Sequence, residues 1–523
     1  MIELTMSPAM AVGSSLPCDS PPLLLSFAIM VATVLCVFGR LRASKRPWNW
    51  KWNTAAVSRD AVLRLVGIRL GDVRTVVVRD GAVAVDSLVR RADVFSTRPA
   101  GSAPTSTISG GRVHNINTVP YGPLWVALRR NLSSEAFHPV RGLAGAAPHR
   151  ARALASLVVD VAARSGAGGV VPVRDCLSAA LFSLNVATCF GDGVDGDLVE
   201  TMRVVQHEFL SFLSKARVFG TFQKVARLVY RDRWKKLVHY RRRQQEMYLP
   251  LIRARKEQRR TQGTTSPSSS STAYVDTLLD LEVPAADGEA GRRKLTEGEM
   301  VGLVSEYLGA TTGTVLAELE YILANLILRP DVQSRLRAEV EAAGGEPCAY
   351  LRAVIMESLR LHPPVSSVQR HMGCDVVLGD DTHAAQGSVV SFAIEEIGRD
   401  NEIWASAQEF RPERFMPGGE GEGVRLALGS KHQEEATKVV KMMPFGAGRR
   451  RCPGMGYAML HLEYFLASLV AAFEWRRAPG EDGEVDLTAD YGFITAMQRP
   501  LRALVVPRTP PANARSCVGV AVN

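Results

Sequence analysis

Between Phe445 and Gly456 the chain reads F-G-A-G-R-R-R-C-P-G-M-G, a glycine-rich loop around one cysteine, Cys452. These residue types suit metal chemistry. A Cys thiolate is a strong electron-donating ligand for iron. Glycines let backbone approach a sulfur closely and turn N–H groups toward it. Arg450, two residues earlier, offers a planar, always-charged donor fork that fits a carboxylate. A mostly apolar run at helical spacing, Met455 to Ala467, follows and would carry the loop onto a buried helix. Taken alone, the same features also describe a buried free thiol in a Gly-rich turn, the usual state of a lone Cys.

Three further sets carry chemistry by their spacing. Trp125 and Arg129 are four apart in a helix that opens near Pro123, so they share one face. Glu357 and Arg360 are three apart in Tyr350–Leu361, a helix that stops at His362-Pro363-Pro364. Any helix could hold that pair, at ~0.2–0.5 kcal/mol. Inside the largely apolar run Val301–Leu328 lies Gly309-Ala310-Thr311-Thr312-Gly313-Thr314-Val315. A Thr there can bond back to a carbonyl four residues earlier and loosen the helix.

In this order the motifs resemble the cytochrome P-450 superfamily, with the plant microsomal type the nearest, over roughly residues 62–508. Phe445, Gly448, Arg450, Cys452 and Gly454 fit its haem-thiolate loop, F-x-x-G-x-R-x-C-x-G. The resemblance implies Cys452 as the axial ligand of haem b, with Arg450, Trp125 and Arg129 serving the propionates. Arg370 stands where the family often has a Pro and then a basic residue reaching a propionate, although Gln369 replaces that Pro. Glu357 and Arg360 match the family's E-x-x-R and would be joined by Arg414 of Pro412-Glu413-Arg414-Phe415 as a buried ionic set. Phe95–Pro99 resembles the segment before the substrate-facing loop, and Ile397–Asp400 with Trp404 a structural one. Thr495-Ala496-Met497 corresponds to a loop tip that points into the substrate pocket.

Thr314 matches the family's oxygen-activating hydroxyl, but the acid that normally precedes it is Gly313, and the glycine that normally follows the alanine is Thr311. Oxygen activation consumes two protons, and the acid–alcohol pair is the family's relay. Three readings stay open: a monooxygenase with altered proton delivery, a proton-independent haem reaction such as peroxide rearrangement or dehydration, and a haem binder of low or lost activity.

The elements that must position these residues are mostly helices. Leu177–Phe190, Val199–Leu213, Arg227–Arg260 and Val301–Leu328 read as helices, the last opened by a capping box of Thr296 and Glu299. Val73–Val78 and a pair within Val485–Pro507 read as strands. The fold class expected is mainly α with a small β region. A length-only prior of two to four domains gives way to the single large domain, residues 62–508, that the resemblance implies. Residues 264–272 form a Ser-rich loop and 509–523 a tail without structural signal.

Eight Cys without CxxC spacing suit a reducing compartment rather than a disulfide framework. The net charge of +10 comes with no basic run interleaved with aromatics and no nucleic-acid motif, so nucleic acid is not an expected partner. Pro21–Gly39 is uncharged and long enough to span a bilayer, with Arg40, Arg42, Lys45, Arg46 and Lys51 after it. The positive-inside rule places residues 1–20 in the lumen and the body in the cytosol, after a linker over 40–61 that lacks the Pro-rich hinge usual in microsomal members. A cleaved signal peptide is the competing reading, but there is no basic region before the apolar run. The expected location is the endoplasmic reticulum membrane, single-pass, and the Asn131-Leu132-Ser133 sequon is expected to stay unmodified. Electrons would come from NADPH through a separate reductase, whose acidic face could meet Lys431, Lys438, Lys441 and Arg449–Arg451. Dioxygen and an apolar or amphipathic small molecule would be the substrates.

Overall fold

The computed structural model describes residues 65–70, 73–99, 115–166, 169–216, 219, 223–262, 273–285, 291–379, 382–426, 440–480 and 484–508. The proposed anchor over 21–39, the linker over 40–61, the Ser-rich loop, Lys431, Lys438 and the tail lie outside these residues.

The helices that matter for the site are α1 (Gly81–Val85), α2 (Pro123–Asn131), α3 (Ala147–Ser165), α4 (Val173–Phe190), α5 (Gly196–Leu213), α6 (Arg231–Gln262), α7 (Tyr274–Asp280), α8 (Glu297–Leu328), α9 (Pro330–Ala342), α10 (Ala349–Leu361) and α11 (Met455–Ala472). The strands that matter with them are β1 (Leu65–Leu70), β2 (Val73–Val78), β3 (Val170–Pro172), β4 (Ser367–His371), β5 (Val389–Ala393), β6 (Phe473–Arg477), β7 (Ala489–Tyr491), β8 (Thr495–Met497) and β9 (Arg502–Pro507). Helices predominate, in accord with the mainly α reading.

One sheet has the order β1-β2-β5-β4. Its outer pairs are antiparallel, with Leu65 opposite Val78 and Ser367 opposite Ala393, and β2 runs parallel to β5 with Thr75 opposite Val389. The β-branched run of β2 suits this half-buried position. A second sheet, β6-β9-β3, pairs Phe473 with Pro507 and Arg502 with Pro172. The hairpin β7–β8 turns through Gly492-Phe493-Ile494.

Helix α8 is the central element. Thr296 Oγ1 accepts from the Glu299 N–H (3.3 Å), and Glu299 accepts from the Thr296 N–H (2.6 Å), the reciprocal cap its sequence announces. Its side chains are buried around most of its circumference, against α4, α10 and α11. Such a helix forms because burial outweighs its weak amphipathicity. Among the described residues, α4 and α11 are long and apolar enough to cross a membrane, but α4 is mostly and α11 half buried in the core.

Two readings need correction. The helix expected over 227–260 is two helices, 223–229 and α6, parted at Tyr230. Thr495–Met497 is not a loop tip but strand β8, because its β-branched start pairs with Tyr491; the tip lies one step earlier, at Gly492–Ile494.

Candidate functional site

The loop from Phe445 to Gly454 is folded by its own backbone. The Cys452 N–H donates to the Phe445 carbonyl (2.8 Å) and the Gly446 N–H to Met443 (2.8 Å). Gly448 has φ +70°, and a β-carbon there would overlap the Leu88 carbonyl, so only glycine fits. Gly454 heads α11 and directs its N–H at the Cys452 sulfur, the donor arrangement that the glycine content announces. Cys452 is solvent-accessible, yet burial pushes its thiol up, against the pull of the Gly454 N–H, Arg129 and Arg98. The sulfur therefore lies at the floor of a recess rather than on the outer surface.

Four guanidinium groups gather here: Arg129 and Arg98 near that sulfur, with Arg450 and Arg370 next to Arg98. Arg450 donates to the carbonyls of Ser96 (2.8 Å), Ile116 (3.0 Å) and Val119 (2.6 Å), and sits 4.7 Å over the Trp125 ring. Arg129, one turn along α2, lies 5.7 Å from the same ring. Trp125 gives its indole N–H to the Ile116 carbonyl (3.2 Å), so its part is to stack between cations. Arg370 is buried in β4 and donates to Phe95 (2.8 Å) and to Gln369 (2.8 Å). Arg98 donates to Asn117 (3.3 Å). Burial, then mutual repulsion, lowers these groups: Arg450 to about 9 by burial, Arg98 and Arg129, and Arg129 to about 10 by burial against the pull of Cys452. Arg370 is lowered by burial, Arg98 and Arg450. Cations gathered in this way call for an anion of comparable charge. The two carboxylates of haem b fit the cluster, and its iron fits the accessible sulfur with an N–H directed at it.

Behind the loop sits a buried ionic set. Arg360 donates Nε to Glu357 (2.7 Å) and a second N–H to the other carboxylate oxygen (2.8 Å), with both side chains fully buried. Arg414 Nε reaches Glu357 at 3.2 Å, and its other nitrogens bond Glu420 and the Ala405 and Ser406 carbonyls. Arg360 also holds the carbonyls of Gly398 (2.8 Å) and Ala407 (2.7 Å). Its guanidinium faces the Trp404 ring at 5.2 Å. The sequence places Glu357, Arg360 and Arg414 in this set; Glu420, from the turn after Phe415, adds the second carboxylate that balances the charge.

On α8, Ala310 is exposed and Gly313 and Thr314 are half-buried, so this stripe opens on the recess. Thr314 Oγ1 donates to the Ala310 carbonyl (2.8 Å), the back-bond anticipated for it. A β-carbon on Gly313 would overlap Ile494 Cδ1 at the β7–β8 tip. On the opposite side of the helix, Asn185 of α4 donates to Thr312 Oγ1 (2.9 Å) and accepts from the Tyr457 hydroxyl of α11. Two turns before Thr314, Glu306 accepts the N–H groups of Ile116 (2.8 Å) and Asn117 (2.7 Å). Burial raises its carboxyl to about 7, against those two N–H groups, Arg98 and Arg450.

Sequence reasoning missed Arg98, Glu306, Glu420 and Ile494. The signal for Glu306 was available, since a carboxylate inside an otherwise apolar helix needs a partner. Of the basic patch proposed for a reductase, Arg450 points inward, and Lys441 is tied to the Glu420 carbonyl and lies 5.5 Å from the Trp404 ring. Arg449 and Arg451 remain exposed.

Comparisons with known proteins identify the family. A family model described as Cytochrome P-450 matches residues 57–501. Cytochrome P-450 89A9 of Arabidopsis thaliana is 35% identical over 463 residues, covering 85% of this chain and 86% of its own length. Cytochrome P-450 78A11 of Oryza sativa subsp. japonica is 29% identical over 479 residues, covering 87% and 81%. A zebra fish cytochrome P-450 structure with progesterone superposes with a TM-score of 0.66 at 21% identity, over 85% of this chain and 96% of that one, a likeness of fold. Matched over most of its length by the family and by a plant relative, the chain belongs to the cytochrome P-450 family, the haem b-dependent monooxygenases.

Proposed function

We propose that this protein is a microsomal monooxygenase that inserts one atom of dioxygen into an apolar or amphipathic small molecule, with electrons from NADPH delivered by a separate reductase. The observation that carries the reading is the accessible Cys452 sulfur, with Arg129 and Arg98 near it, in a cluster of four guanidinium groups that has Glu306 as its one nearby carboxyl among the described residues. Bound there, haem b supplies the iron and the redox chemistry that divide dioxygen between product and water. The chain's own residues do the rest. Cys452 provides the electron-rich ligand, and Gly454 holds its sulfur by an N–H. Arg98, Arg129, Arg370 and Arg450 neutralise the propionates. Thr314 presents a hydroxyl to the recess, anchored by its bond to Ala310. Ile494 and Ala310 give the recess apolar walls, which suits an apolar substrate.

The uncharged stretch 21–39 with basic residues after it supports a single-pass anchor in the endoplasmic reticulum membrane and a cytosolic body. Exposed Arg449 and Arg451, next to the Cys loop, suit an acidic reductase face. The test is incubation of microsomes carrying this protein and a plant NADPH-dependent reductase with a small-molecule extract under isotopically labelled dioxygen. The reading expects a product that carries one labelled oxygen and requires both NADPH and reductase.

A second reading draws on Gly313 and the Ile494 side chain over it: a haem reaction that needs no proton delivery, such as rearrangement of a hydroperoxide or a dehydration. It expects product without NADPH and without label. A chain that binds haem and turns nothing over would be a low-activity haem binder.

A further inference from the structure

Four buried carboxylates line α8, and three have partners. Glu299 caps the helix and pairs with Arg293 at 2.6 Å. Glu306 holds two backbone N–H groups. Glu320 pairs with Arg174 at 2.8 Å and accepts the Leu501 N–H (2.8 Å). The fourth, Glu318, is 1% exposed, and neither of its carboxyl oxygens has a hydrogen-bond partner. An ionised carboxylate so placed would cost several kcal/mol, about the penalty known for unpaired buried ions, so the group is held neutral instead. Ser358 of α10 is near enough to offset part of the burial, yet its hydroxyl is also without a bond of good geometry.

Position decides what such a group could do. Glu318 follows Thr314 by four residues, so the two side chains lie one above the other on one helix face, about 6 Å apart at their β-carbons. Thr314 donates its own hydrogen back to Ala310, which leaves its oxygen free to accept one. At the position where the family carries its acid, a β-carbon would meet the end of the Ile494 side chain, which would have to move aside.

We propose that Glu318 is the proton-holding group for the Thr314 side of the recess, in place of an acid at position 313. The proposal rests on the monooxygenase reading above. Each turnover takes one substrate, one dioxygen, two electrons from NADPH and two protons; the O–O bond and one substrate C–H bond break, and one hydroxylated product and one water result. In one proton transfer the Glu318 O–H bond would break and its proton would go to the Thr314 oxygen, while the Thr314 hydrogen would leave the Ala310 carbonyl and become an O–H of the product water; the Glu318 carboxylate would then take back a proton from solvent. Burial raises this carboxyl to about 8, so it carries its proton at neutral pH. That lies near the working pH, where a general acid is most effective. The titratable groups facing it are few. Tyr321, on the same helix, is itself raised by burial, Glu320, Glu395, Tyr491 and Glu318. From α10, Glu357 and Arg360, one residue before and two after Ser358, are closed on each other and on Arg414.

The test uses the full-length holoenzyme and Glu318→Gln, which keeps shape and removes the exchangeable acid. Infrared difference spectra, recorded below and above pH about 8, are expected to show a protonated carboxyl band that titrates away in the parent and is missing in Glu318→Gln. An unchanged band overturns the proposal. With an alkoxycoumarin probe and reductase, product formed per NADPH is expected to fall about 10-fold or more in Glu318→Gln, with hydrogen peroxide rising in its place. Glu318→Asp is expected to recover part of it, while the carbon-monoxide spectrum of all three proteins stays that of a thiolate. A product yield per NADPH within about twofold of the parent also overturns the proposal, since a general acid contributes far more than that. If the parent makes no NADPH-dependent product, the monooxygenase reading is what fails, and the infrared comparison still decides whether Glu318 holds a proton.

Discussion

Ile494 sits where a side chain on Gly313 would have to be, so the missing acid and the hairpin tip are two halves of one arrangement. Gly313→Asp alone meets Ile494 Cδ1 and is expected to cost ~1–3 kcal/mol through overpacking. Gly313→Asp with Ile494→Ala is expected to recover that stability, since the truncated tip leaves room for the acid. Thermal unfolding of the two variants checks this, and equal midpoints would mean the tip yields freely.

The cation cluster makes a prediction about the protein without haem. Arg98→Gln removes one of four mutually repelling charges, so the haem-free protein is expected to gain on the order of 1 kcal/mol. The same change removes a charge-assisted contact, so haem affinity is expected to fall about 10-fold or more. Opposite signs for the two quantities distinguish a built anion site from ordinary packing. Haem titration and thermal unfolding of the haem-free form measure them.

The ionic set should tolerate little. Glu357→Gln leaves the buried Arg360 guanidinium with a neutral partner and Arg414 with Glu420 alone, and breaking such a buried pair costs ~3–5 kcal/mol. Arg414→Lys keeps the charge but cannot reach Glu357, Glu420 and two carbonyls from a single head group. Both variants are expected to yield little soluble, haem-loaded protein, as judged by the haem-to-protein absorbance ratio.

Stability should fall between neutral and mildly alkaline pH. Glu306 and Glu318 are raised to about 7 and about 8, above the ordinary carboxyl range, so the folded state binds more protons than the unfolded chain up to those values. By linkage, stability then declines as pH rises through that window. His362 and His461 are pushed down by burial to about 3 and about 4, and they act in the opposite direction below about 6.5. The two effects offset each other at mildly acidic pH, and the carboxyls act alone above it. Glu318→Gln is expected to flatten the alkaline decline in chemical denaturation run across pH.

Much of the site could be read from the sequence because its parts are local. The Cys loop is one turn, E-x-x-R one helix face, and Thr296–Glu299 one cap. What escaped depends on distant chain segments meeting. Arg98 and Glu306 find each other only through the Ile116–Asn117 backbone, which no spacing reveals. The hairpin tip slipped by three residues because turn position in a short hairpin depends on register, which the flanking β-branched residues mark only loosely. The helix over 227–260 hid its break at Tyr230, since neither Gly nor Pro marks it.

Haem–thiolate ligation by Cys452 is the claim on which the rest depends. Its most direct measurement is the carbon-monoxide difference spectrum of the reduced, expressed protein, beside Cys452→Ser. A strongly red-shifted Soret band, lost in Cys452→Ser, is the predicted result. A band at the position of neutral-ligand haem, or the same spectrum from both proteins, would contradict it.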